Sequence, residues 1–230
     1  MSNTTGRLFR ATTFGESHGD MMGVVIDGCP PGMRLDLKQV QTELNRRRPG
    51  QNALTTPRHE RDQLRVVSGL FDDVTTGTPL TIVFENQDQH PRDYTATKDL
   101  FRPGHADYTY QMRYGVRDHR GGGRASARET IARVAAGAIA RQVLQQRFQI
   151  DVVAWVSSVG NIEAVVDEEI VSRLDVDAHP TRCPDPKAAD AMQLKIEEAK
   201  ASGDTIGGCV SAVARGVPAG WGSPVFDKLE

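Results

Sequence analysis

Cysteine is scarce in this chain of 230 residues: Cys29, Cys183 and Cys209 are the only three, and no Cys-x-x-Cys pair occurs. An odd, scattered set argues against both a disulfide framework and a cysteine-rich zinc site, and fits a reducing cytoplasm. No apolar run approaches the roughly 20 residues of a membrane-spanning helix. The segment Met1 to Arg10 lacks the apolar stretch of a secretory signal. Aromatic residues are few, with four Tyr and two Trp, so platforms for stacking single-stranded nucleic acid are sparse. Neither sign of charge dominates, since 28 Lys and Arg stand against 30 Asp and Glu. None of His59, His90, His119 or His179 has a partner at zinc-ligand spacing. These shortages lead to the expectation of a cytoplasmic protein with no membrane, nucleic-acid or metal partner.

The apolar fraction of 38% and charged fraction of 25% are ordinary for a globular chain, which excludes disorder and fibrous repeats. The charges are uneven. Arg46 to Arg65 holds six Arg against two acids, Arg92 to Arg133 nine Lys or Arg against five acids, and Asn161 to Lys200 ten acids against five bases. Two basic stretches in a slightly acidic protein suggest a focused anion site.

Leu8 to Phe14 and Met22 to Ile26 read as two strands joined by the polar turn Gly15-Glu16-Ser17-His18-Gly19-Asp20. Asp36 caps a helix with Leu37, Val40 and Leu44 on one face, which ends at Pro49-Gly50. Basic residues in its last turn also suit the helix dipole. Leu64 to Val67, Leu80 to Phe84, Ile150 to Val156 and Thr205 to Gly216 are further strand candidates. Helices are predicted over Ala127 to Arg147 and Lys187 to Lys200, and a long loop over Gln87 to Gly104. Pro224 to Glu230 reads as the first turn of a helix. The irregular alternation predicts an α+β fold.

Three stretches carry candidate chemistry. Gly121-Gly122-Gly123-Arg124-Ala125-Ser126-Ala127-Arg128-Glu129 joins a glycine nest to a helix start, where Ser126 and Glu129 have capping-box spacing. Free amides with Arg124 and Arg128 would hold a phosphate; a flexible loop entering a capped helix is the plainer reading. In Gly15-Glu16-Ser17-His18-Gly19, His18 sits in a tight turn suited to general acid or base work. That pentad also fits the Gly-x-Ser-x-Gly elbow of a serine hydrolase built on Ser17, although an elbow leads into a helix and this turn leads into a strand. Arg102-Pro103-Gly104-His105-Ala106-Asp107 places a second histidine, His105, after a rigid turn before a helix.

Together these stretches resemble the chorismate synthase family. The likeness also includes Arg46-Arg47-Arg48-Pro49-Gly50, Arg117-Asp118-His119-Arg120, Gly216-Val217-Pro218-Ala219-Gly220 and Pro224-Val225-Phe226-Asp227, and it runs nearly end to end. The resemblance implies a β-α-β-α sandwich with central helices, a single domain over 1–230 and a cytoplasmic homotetramer. It implies a lyase that eliminates phosphate from 5-enolpyruvylshikimate 3-phosphate to give chorismate, using reduced FMN without net redox change, with NADPH a possible reductant. By similarity His18 protonates the departing phosphate and His105 acts on the reduced flavin. Arg124, Ala125 and Ser126 match the flavin-contacting segment. Arg47 matches a position for NADP or a substrate anion, and Arg47 and Arg48, with Arg58 and Arg102 as lesser candidates, would bind the anionic substrate. Two departures stand out: Ala53 replaces a usual Arg, and Ala125 replaces a usual Ser. Family members continue well past the position of Glu230, so the chain is expected to be a piece lacking further flavin contacts and an Asp that assists proton removal. The alternatives are a fragment that only binds flavin, phosphate or RNA, and the hydrolase on Ser17.

Overall fold

Period-two alternation in the first hundred residues builds one sheet. The computed structural model describes residues 3–51, 54, 61–86 and 98–222. Strands β1 (Thr4–Thr5), β2 (Arg10–Gly15) and β3 (Met21–Asp27) precede helix α1 (Leu37–Arg47) and β4 (Leu64–Ser68). The small hairpin β5 (Leu70–Phe71) and β6 (Val74–Thr75) leads to β7 (Leu80–Glu85). Five strands pair antiparallel in the order β1-β2-β3-β7-β4.

The register explains the core. Met22 lies opposite Phe84, Val24 opposite Ile82 and Ile26 opposite Leu80. Every second residue of each strand therefore points to the same face. Those six side chains are at most 1% exposed and pack with Val40 and Leu44 of α1 and with Ile131, Ala135 and Ile139 of the long helix further along the chain. Truncating one of them to Ala is worth about 2–5 kcal/mol.

Asp36 caps α1 as the sequence predicts, its carboxylate accepting from the amides of Lys38 and Gln39 at 2.9 and 3.1 Å. Helix α2 (Asp107–Tyr114) ends on Gly115 in the left-handed region. The long helix α3 spans Thr130–Phe148. It starts later than the capping-box spacing predicts, after two 3₁₀ turns at Gly123–Ala125 and Ala127–Glu129. The Ser126 hydroxyl does accept from Arg128 N at 3.2 Å. The Glu129 carboxylate, however, is engaged by Thr13 and Arg133, so the reciprocal half of the box is absent.

The chain divides into two compact units, one of Met1–Gln51 with Pro57–Val143, the other of Asn52–Thr56 with Leu144–Glu230. In the second, β8 (Asp151–Val159) pairs with β9 (Ile162–Glu163) and with β10 (Gly208–Arg215), and helices α4 (Arg173–Asp177) and α5 (Pro186–Ala201) lie between β9 and β10 in sequence. Val153 and Trp155 pack with Val171 and Val176. Val156 and Val159 pack instead with Cys183, Ala189 and Met192. The register slips by one residue here, Val156 facing Val210 while Ser158 faces Cys209. The extra residue, Ser157, lets two valines three positions apart share a face. The segment Pro224 to Glu230 lies outside the described residues, as does most of the predicted loop, 87–97.

Candidate active site

The turn between β2 and β3 closes because Gly15 takes a φ of +92°, and a Cβ there would come 2.3 Å from the Met21 carbonyl oxygen. Gly19 N donates to Glu16 O at 3.1 Å, and Ser17 N to Gly123 O at 3.3 Å. Ser17 is 1% exposed and His18 8%. A strand follows this turn, so the strand-to-helix setting of a nucleophile elbow is missing.

Against it lies the stretch that carries the second histidine. The Arg102 guanidinium donates to Asp107 through Nε at 2.8 Å and Nη2 at 3.0 Å. Chiefly through that hydrogen bonding, Arg102 holds the Asp107 carboxyl down to about 2. The same Nη2 donates to the Gly121 carbonyl at 2.7 Å. Gly121 has φ +73°, and a Cβ there would fall 2.2 Å from His18 Cδ2 and 3.1 Å from Ser17 Oγ. Only a glycine lets the backbone lie so close to the imidazole. His105 is exposed, with Nδ1 3.0 Å from the Pro103 carbonyl oxygen. A carbonyl can only accept, so Nδ1 carries the hydrogen there, and a neutral ring presents Nε2 as its acceptor.

A cavity of about 540 Å³ opens among these groups, lined by Ser17, His18, Arg102, His105, Ala125 and Ser126 with neighbouring backbone. The structure thus brings together four residues that lie up to 108 positions apart, His18, His105, Ala125 and Ser126. Arg124 is directed elsewhere. Its guanidinium donates to Gly15 O and Thr13 O, both at 3.1 Å, and to Thr13 Oγ1 at 2.7 Å. It borders a separate cavity of about 160 Å³ with Glu16, Tyr110 and Arg117. The phosphate role read for the Arg128 side chain does not hold: Arg128 is 4% exposed and salt-bridged to the buried carboxylate of Asp62.

Asp62 also takes the predicted anion binder Arg47, whose Nη1 donates to it at 2.8 Å while Nε donates to Thr130 Oγ1 at 3.2 Å. Arg48 caps α1 and is exposed. Ala53 and Arg58 lie outside the described residues. Sequence reasoning missed Asp62 and Asn86 because each acts across the fold, on partners distant in the chain. The signal that could have found Asn86 is an amide side chain directly after a strand of apolar residues.

The family model for chorismate synthase matches residues 9–230. The chain belongs to the chorismate synthase family. A chorismate synthase of Synechococcus sp. (strain JA-2-3B'a(2-13)) is 55% identical over 228 residues, which is 99% of this chain and 60% of that protein. One from Opitutus terrae is 52% identical over 230 residues, all of this chain and 63% of the relative. A crystal structure of chorismate synthase superposes with a TM-score of 0.70 at 28% identity, covering 93% of this chain and 59% of the other. The predicted α+β fold of this family is therefore the one observed. The chain spans somewhat under two thirds of the length of these relatives.

The residues around the cavity fit a flavin. The volume is in the range of small-ligand sites, Gly122 brings the backbone of the glycine nest to the wall, and Ser126 and the two histidines offer polar contacts. Among the described residues, no helix is long and apolar enough to cross a membrane.

Proposed function

We propose that this chain carries the N-terminal part of a lyase that eliminates phosphate from 5-enolpyruvylshikimate 3-phosphate to form chorismate. The observation that carries the reading is the convergence of His18, His105, Ala125 and Ser126 on one cavity. Ala125 and Ser126 border the cofactor, reduced FMN, with Arg124 anchoring their turn to β2. When bound, reduced FMN supplies electron density as the allylic C–O bond breaks, with no net oxidation. NADPH is the candidate reductant that brings FMN into its reduced form.

The substrate carries two carboxylates and a phosphate, so its binding calls for cationic side chains. Arg47 and Arg48 supply them. His18 gives a proton to the phosphate oxygen as it departs, which lowers the charge the leaving group carries, while the ring proton lost in the same elimination goes to a base. His105 holds or gives up a proton at Nε2 toward the flavin, its ring oriented by Pro103. Both units belong to one chorismate synthase domain, a reading supported by the family match across 9–230. The complete protein is a cytoplasmic homotetramer.

Anaerobic phosphate release from 5-enolpyruvylshikimate 3-phosphate, with reduced FMN present or omitted, tests the activity in both the 230-residue chain and a full-length version. Release that requires reduced FMN is expected from the full-length enzyme. Its absence there overturns the proposal.

A further inference from the structure

Within the turn that carries His18 only Gly19 N to Glu16 O closes the loop among its described bonds, and a residue from another strand adds to it. Asn86 follows β7 directly and is 7% exposed. Its Nδ2 donates to the carbonyl of Glu16 at 3.1 Å and to that of Gly19 at 2.8 Å. Its backbone amide donates to Asp20 O at 3.1 Å. Three bonds from one residue thus bracket His18 on both sides. The two carbonyls need a donor, so only one orientation of the amide serves them. It is set by Arg128, whose Nε donates to Asn86 Oδ1 at 3.1 Å. Arg128 is in turn held by Asp62, which Gln41 secures by donating to its carbonyl at 3.1 Å.

We infer that Asn86 is a positioning residue for His18, with Arg128 and Asp62 fixing its amide so that both Nδ2 hydrogens face the turn. Asn86 itself does not line the cavity that His18 borders. It acts by making the Glu16–Gly19 turn rigid, so that the imidazole wedged on Gly121 keeps one aim into the cavity. The role in turnover rests on the lyase reading; the effect on the turn does not.

Asn86→Asp is the discriminating variant. It keeps an oxygen for Arg128 and the shape of the side chain, but puts an acceptor where both turn carbonyls need a donor. Asn86→Ala removes both contacts and serves as a second variant should the first not fold. Ser68→Ala, which removes a hydroxyl bond to Pro79 O elsewhere in the sheet, is the control. In the 230-residue chain without ligand, hydrogen exchange of the Ser17 and Gly19 amides is expected to quicken about tenfold or more, while β3 and β7 keep their protection. The parent is expected to show a single sharp His18 ring resonance in a carbon–proton correlation spectrum, and the variant a broadened or doubled one. In the full-length enzyme, kcat falls about tenfold or more with KM for substrate within about twofold. Unchanged exchange in the turn, or exchange that rises equally throughout the sheet, overturns the inference. So does a full-length variant in which KM rises and kcat does not. If the turn loosens as expected but the parent full-length protein releases no phosphate, the positioning role stands and the lyase reading falls.

Discussion

A histidine at 8% exposure, pressed on a glycine backbone, has little room to turn. His18→Ala in the full-length enzyme is expected to slow turnover by about 10²–10⁴-fold while the fold persists, measured by phosphate release alongside circular dichroism. Gly121→Ala tests the same contact from the other side. The new methyl collides with His18 Cδ2, and a left-handed alanine adds about 1–2 kcal/mol of strain. Loss of both turnover and stability is expected in activity assays and urea titrations. Asp107 gives a pH signature. Its carboxyl is held at about 2, against an ordinary value of 3.8, first of all by the Arg102 hydrogen bond. Because the folded value is the lower one, the stabilisation is complete above the ordinary value and fades as pH falls through the folded value. The stability gap between the parent and Asp107→Asn should therefore be full at about pH 5 and close toward about pH 2. At this scale His18, His105 and Ser126 were legible because each sits in a distinctive local run. Asp62 and Arg128 were not legible as a pair, since 66 residues separate them and only β4, β7 and the turns before α3 bring them together.

Elements were read well where the local signal and the packing agreed. Helix α1 has a cap, a period and a stop, and all three are realised. The hairpin β5–β6 and the strand β9 escaped notice because two residues cannot display a period. The start of α3 was misjudged because the Glu129 carboxylate has stronger partners in Thr13 and Arg133 than the amide of Ser126. Burial pushes that carboxyl up, and the Thr13 hydroxyl and the charges of Arg133 and Arg124 more than offset it. Arg124 belongs to this scale as well, since it joins the 3₁₀ turn to β2. Arg124→Ala is expected to destabilise the first unit by about 1–3 kcal/mol, from charged hydrogen bonds to buried acceptors, and to weaken FMN binding by loosening the turn. Thermal melts and flavin fluorescence titration separate the two effects; a protein of unchanged stability would show that the β2 contacts contribute nothing.

For the molecule as a whole, the first unit rests on one broad sheet face and the second on two smaller clusters. Sequence patterning indicates four strands of that sheet, over 8–14, 22–26, 64–67 and 80–84. It could not indicate the two clusters, because the slip at Ser157 changes which residues of β8 face the same way. That slip has a thermodynamic consequence. One strand supplies Val153 and Trp155 to one cluster and Val156 and Val159 to the other, so neither cluster can come apart without disturbing the backbone that the other needs. The second unit is therefore expected to melt in a single cooperative step. Val176→Ala and Met192→Ala, which hollow different clusters, should both lower the same transition in hydrogen-exchange measurements, and two separate transitions would show that each cluster keeps its own melting point.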